Sequence, residues 1–89
     1  MSESVDSLFE FPCRFPIKAV GRSGDDFDLE VVNIVRRHAP DLGEGSVRSS
    51  PSRRGNFVSV TVTITATSRE QLDAIYRELN AHKAVLMTL

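Results

Sequence analysis

Between Gly55 and Ala66 the chain reads Gly-Asn-Phe-Val-Ser-Val-Thr-Val-Thr-Ile-Thr-Ala, and it alternates without a break. Val58, Val60, Val62, Ile64 and Ala66 fall on one side, and Phe57, Ser59, Thr61, Thr63 and Thr65 on the other. Side chains of an extended strand point to opposite faces in turn, so this segment is a strand with one buried and one half-polar face. β-Branched residues on both faces suit a pleated surface. Such a strand requires pairing at both edges and a helical layer over its valines.

The rest of the chain provides these partners. Arg14 to Arg22 reads as a first strand with Phe15, Ile17 and Ala19 on one face, and Pro12 and Pro16 sit near its start, where a missing N–H does least harm. Gly21-Arg22-Ser23-Gly24 breaks it. Asp25 to His38 reads as a helix, because Phe27, Val31, Ile34, Val35 and His38 recur at helical spacing. Ser23 or Asp25 is the expected cap. Acidic residues crowd its first turns and Arg36, Arg37 and His38 its last, which complements the helix dipole. Pro40 stops it. Val47 to Ser50 reads as a short strand, ended by Pro51 and turned by Ser52-Arg53-Arg54-Gly55 into the long strand. Thr67 and Ser68 open a second helix with Leu72, Ile75, Tyr76, Leu79 and His82 in its stripe, and Ser68 with Gln71, or Thr67 with Glu70, matches a capping box. Ala84 to Leu89 reads as a last strand.

The order is β-α-β-β-α-β. Right-handed crossovers place both helices on one face of a four-stranded antiparallel sheet ordered 4-1-3-2. The expected fold class is therefore α+β, a ferredoxin-like plait. At 89 residues the chain makes one domain, residues 8–89, behind a polar tail, residues 1–7, that reads as disordered. Leu8, Phe9 and Phe11 read as an arm packed against that domain.

Composition excludes several classes of function. The formal net charge of -1 argues against a general nucleic-acid or membrane-surface binder. The single cysteine, Cys13, leaves no internal disulfide and no cysteine-based metal motif. No basic and apolar leader opens the chain, and no apolar run approaches the roughly 20 residues of a membrane span, so a cytoplasmic protein is expected.

Phe11-Pro12, Lys18, Gly21, Arg37-His38-Ala39-Pro40, Gly55-Asn56-Phe57 with Ser59-Val60, and Met87-x-Leu89 give the chain a further character. In these residues it resembles the YbeD-like family of small bacterial proteins, from about Leu8 to the C-terminus. The hairpin Pro51-Ser52-Arg53-Arg54 departs from the serine–lysine type of turn expected there. The resemblance implies a ferredoxin-like fold related in shape to ACT regulatory domains, which bind small effectors, often amino acids, between paired domains. The family's genes often lie near those for lipoate attachment, which implies a regulatory link to that metabolism. The family is a domain of unknown function and brings no catalytic or ligand residues.

The residues themselves bear on three chemistries. An acylphosphatase-like hydrolase would use a phosphate cradle at Gly21-Arg22-Ser23-Gly24, but Asp25, Asp26 and Asp28 would repel a phosphate there, and the glycine-valine-glutamine signature is absent. A single-stranded RNA module would stack bases on the third strand, where Phe57 is the one ring and Arg48, Arg53 and Arg54 the basic cluster. A metal site would need His38, His82 or Cys13 to converge, and no pair has ligand spacing. The reading is accordingly non-enzymatic, without metal or cofactor: a small regulatory or interaction module, with nucleic acid disfavoured as partner. Candidate ligand or partner contacts are Gly21 and Arg22 in the first loop and Arg53, Arg54 and Asn56 in the hairpin. The last strand carries no charge, proline or bulge signal that would blunt an edge. With Val85, Met87 and Leu89 towards the helices, Leu86 is expected on the open side beside Val20. There it would be covered by a second copy in a homodimer or by the N-terminal arm.

Overall fold

The computed structural model describes residues 10–24 and 26–89. The long alternating segment is β3 (Phe57–Ala66), which pairs antiparallel with β1 (Cys13–Arg22) along its whole length, from Cys13 opposite Ala66 to Arg22 opposite Phe57. β2 (Val47–Pro51) pairs with the other edge of β3, and β4 (Val85–Thr88) with the other edge of β1, giving the order β2-β3-β1-β4. Helices α1 (Phe27–His38) and α2 (Arg69–Ala81) cover one face, and a 3-10 turn, Glu44–Ser46, leads into β2. The ferredoxin-like plait is therefore the fold. The expected disordered tail, and Leu8 and Phe9 of the arm, lie outside the described residues. Phe11 packs against the core. No helix among the described residues is long and apolar enough to cross a membrane.

The core forms where the period-2 faces of the strands meet the helical stripes. Ile17 and Ala19 of β1 and Val60, Val62, Ile64 and Ala66 of β3 are buried against Phe27, Val31, Ile34 and Val35 of α1 and Leu72, Ile75 and Leu79 of α2. At α2 the Ser68 side chain accepts from the Gln71 N–H at 3.1 Å, while Gln71 Oε1 accepts from the Thr67 N–H at 2.8 Å. The box thus reaches back one residue further than a simple capping box. Gln71 Nε2 also donates to the His38 carbonyl at 2.7 Å, tying the end of α1 to the start of α2.

Two expectations are corrected. The cap of α1 is Asp26, in the left-handed region at φ 70° and without a side-chain cap bond, not Ser23. Ser23 is held elsewhere, its N–H donating to the Asn56 carbonyl at 2.9 Å, so the helix starts later. Asp25 lies outside the described residues. The second correction concerns β4, which does not alternate simply. Thr88 lies opposite Ala19 and Met87 opposite Val20, but Val85 is opposite Gly21, so Leu86 is an extra, bulged residue. A bulge re-aims the side chains beyond it. Val85 and Thr88 face the helices, Met87 sits beside Val20 on the open side, and Leu86 turns to the rim near α1. The edge does carry a blunting device.

Candidate functional site

Two regions gather the polar side chains of interest: the sheet end at the β1–α1 loop, and the open face of the sheet. At the sheet end, strand pairing sets Arg22 opposite Phe57, and the guanidinium lies 5.9 Å from the ring centroid, within cation–π range. Ser52 shapes the adjacent hairpin: its side chain accepts from the Phe57 N–H at 3.1 Å, and its own N–H donates to the Phe57 carbonyl at 2.7 Å. Gly55 closes the turn at φ 76°, a conformation that costs an L-residue with a side chain.

Beside this end lies a cleft of about 330 Å³ lined by Arg22, Gly24, Phe27, Glu30, Lys83, Ala84 and Leu86. Phe27 and Leu86 give it apolar walls; Arg22 and Lys83 bring two cations. Glu30 has a partner of its own, His82 Nε2 at 3.4 Å. The His82 Nδ1 accepts from the Ala84 N–H at 3.0 Å, which places the ring proton on Nε2, towards Glu30. Neither Arg22 nor Lys83 is ion-paired among the described residues. A shallower hollow of about 250 Å³, lined by Ser23, Gly24, Phe27, Asp28, Ser49, Pro51 and Val58, shares Gly24 and Phe27 with the cleft.

The sequence candidates separate here. Arg22 lines the cleft, whereas Asn56 lines neither cavity and only accepts, through its backbone carbonyl, from the N–H of Ser23 in the shallower hollow. Arg53 and Arg54 stand exposed in the hairpin turn and do not line it. Gly21 is no ligand cradle. It is buried with its missing side chain aimed at Phe27, where an added Cβ would lie 2.4 Å from the ring. Leu86 is half exposed and belongs to the cleft rather than to the open face. Lys83 was missed, since it follows the helix with no motif to mark it.

The open face was also missed. Arg14, Lys18 and Arg22 alternate with the buried residues of β1, and Arg48 lies opposite Thr61, which lies opposite Lys18. Sequence reading held the signal, because Phe15, Ile17 and Ala19 facing inward force Arg14, Lys18 and Arg22 outward.

The remaining chemistry-bearing residues have structural engagements. His38 Nε2 lies 2.8 Å from Glu78 Oε1, and Arg37 donates to the other Glu78 oxygen, so the Arg37-His38 pair joins α1 to α2. Cys13 is half-buried against the core. Among the described residues no cluster of three or more histidine, cysteine or acidic residues is placed to hold a metal.

This arrangement, two helices on one face of a 2-3-1-4 antiparallel sheet, is the ferredoxin-like fold, and in shape it is ACT-like. The ACT domain of a GTP pyrophosphokinase from Chlorobium tepidum superposes with a TM-score of 0.64 over 85% of this chain and 84% of its own, at 12% identity. The solution structure of an H. pylori protein gives 0.69 over 91% and 85%, at 13% identity. At these identities the likeness concerns the fold. The chain itself belongs to the DUF493 family, described as a protein of unknown function, whose model matches residues 6–89. A UPF0250 protein of Chromobacterium violaceum is 51% identical over the full length of both chains, and one of Paraburkholderia phytofirmans is 47% identical, also over the full length of both. These relatives agree with the YbeD-like resemblance of the sequence.

Proposed function

We propose that this ACT-like domain is a non-catalytic regulatory module of the cytoplasm that takes a small carboxylate effector in the cleft between the β1–α1 loop and β4. The observation that carries the reading is the pairing of two cations that have no ion partner among the described residues, Arg22 and Lys83, with two apolar walls, Phe27 and Leu86, in one cleft. An arginine and a lysine hold a carboxylate by charge-assisted bonds, and the walls accept a short hydrocarbon part. The volume is at the small end for ligand sites, which suits an amino acid or a short organic acid. Leu86 lies both in the cleft and at the β4 edge, so a second copy seated on that edge would close the mouth. The link to lipoate metabolism implied by the YbeD-like resemblance names octanoate and lipoate as the first acids to test.

An amide-shift titration of the labelled protein with amino acids, octanoate and lipoate tests the reading. Shifts centred on residues 21–24, 30 and 83–86 are expected, and they should vanish in Lys83→Gln. Flat spectra at millimolar acid, or shifts confined to other elements, would overturn it.

A further inference from the structure

No acidic residue lies on any of the four strands, although the chain carries 12. Six of its 11 lysines and arginines, in contrast, lie on the strands or in the β2–β3 turn: Arg14, Lys18, Arg22, Arg48, Arg53 and Arg54. The first four belong to the open face, and none is ion-paired among the described residues. The near-neutral total therefore hides a separation of charge: among the described residues the acids lie on the helices and loops, and the strands carry cations alone.

That face also has an apolar side. Val20 lies between Lys18 and Arg22 on β1, with Met87 opposite it, and Leu89 follows, its N–H donating to the Lys18 carbonyl at 2.9 Å. Met87 is 50% and Leu89 64% exposed, so this strip presents apolar surface to solvent. Arg14, Lys18 and Arg22 recur every fourth residue, about 13 Å apart along the strand, and Arg48 stands about 10 Å to the side of Lys18. Across the rest of the face run Ser59, Thr61, Thr63 and Thr65.

We propose that the open sheet face is a docking surface for an acidic, amphipathic segment of another protein. Its carboxylates would meet Lys18, Arg48 and Arg14, and its apolar side chains would lie on Val20, Met87 and Leu89. Charge decides against a second copy here, because sheet-to-sheet pairing would bring like charges together across the whole face. Shape decides against single-stranded RNA. Phe57 is the one ring, Arg22 already lies over it, and Val20, Met87 and Leu89 offer aliphatic surface where a base needs a stacking plane. This surface meets the carboxylate cleft at Arg22, but neither Lys18 nor Arg48, its central cations, lines the cleft.

The test uses the full chain, labelled for amide shifts, and three probes. These are a short synthetic peptide with glutamate and leucine at helical spacing, its twin with glutamine for glutamate, and oligouridylate. The acidic peptide is expected to move the amides of Arg14, Lys18, Val20, Arg48 and Met87, and its glutamine twin is not. In the double variant Lys18→Glu with Arg48→Glu, affinity should fall about tenfold or more. Both side chains are on the open side of the sheet with no ion partner among the described residues, and an otherwise unchanged spectrum confirms that the variant folds. Equal binding of the glutamine twin would overturn the proposal, as would shifts on the helices alone. It is equally overturned if oligouridylate moves the face and the peptide does not, or if no probe moves it at millimolar concentration.

Discussion

Gly21→Ala is the substitution whose cost follows most directly from the coordinates. Gly21 sits in β1 opposite Val58, with its missing side chain towards the helices. A Cβ there would lie 2.4 and 2.5 Å from two Phe27 ring carbons and 2.7 Å from the Ala84 carbonyl oxygen. Carbon atoms pack at about 3.5–4 Å, so roughly 1 Å of movement is needed. Phe27 is 4% exposed and wedged at the start of α1, and the Ala84 carbonyl is backbone leading into β4. The two obstacles belong to different elements, so no single shift relieves both. Forcing a methyl into a filled core costs about 1–3 kcal/mol. The stiffer alanine recovers about 0.4–1 kcal/mol through the unfolded chain. A net loss of about 1–2 kcal/mol is expected, which for a domain of this size lowers Tm by roughly 4–16 °C. Urea unfolding followed by circular dichroism measures it. A second variant isolates the cause: Phe27→Leu removes part of the ring. The double variant should then be more stable than the sum of the single losses by about 0.5 kcal/mol or more. A Gly21→Ala protein as stable as the parent, or strict additivity in the pair, would refute the packing argument.

Other outcomes follow from the same contacts. Ser68→Ala removes the side-chain acceptor for the Gln71 N–H and should cost about 1 kcal/mol in chemical denaturation, whereas Ser68→Asp should restore most of it. Burial raises the Tyr76 phenol above its ordinary value of 10.0. The folded chain therefore holds that proton more tightly, and the associated stability is complete below pH 10.0 and lost as pH rises through the folded value. Urea midpoints measured on either side of that range should fall in the parent and flatten in Tyr76→Phe. Leu86→Lys should leave the fold intact, because the side chain is 50% exposed. It should weaken binding of octanoate in the titration and lower any concentration-dependent molar mass in sedimentation. Unchanged affinity together with unchanged mass would remove Leu86 from both roles.

The fold was legible because three periodic signals agreed. Strict alternation over residues 57–66 fixed the inward face of β3, the stripe from Phe27 to Val35 fixed α1, and the stripe from Leu72 to Leu79 fixed α2. Each was then satisfied by the others' buried side chains. What alternation could not reveal was the bulge in β4. A segment as short as Val85–Thr88 gives the same apolar string whether or not one residue drops out of register, and only pairing against Val20 and Gly21 shows that Leu86 does. The start of α1 was misplaced for a related reason. The bond from the Ser23 N–H to the Asn56 carbonyl joins residues far apart in sequence, so no local capping rule contains it.

The site was less legible because its signals are distributed. Arg14, Lys18, Arg22 and Arg48 lie on two strands that do not touch each other, with β3 between them. Read along the chain they are ordinary solvated charges, and the whole-chain balance of -1 argues only against a generally basic protein. Net charge, however, is a sum over all directions, while screening confines each exposed charge to about 8 Å at physiological ionic strength. A molecule a few tens of ångströms across can therefore present opposite potentials on opposite sides, and among the described residues the charged side chains on the strands are all cations. Two sites with different demands follow from this placement. The proposed carboxylate cleft at the β1–α1 loop would use Arg22 and Lys83 at one end of the sheet, and the proposed docking face Lys18 and Arg48 at its middle. Arg22 borders both, opposite Phe57 on the face and at the wall of the cleft. An acid that draws the Arg22 side chain into the cleft would uncover the Phe57 ring and remove one cation from the face, so occupancy of the cleft should weaken docking of an acidic segment. Measuring the affinity of the glutamate peptide with and without saturating octanoate tests that coupling, and equal affinities would show the two sites to be independent.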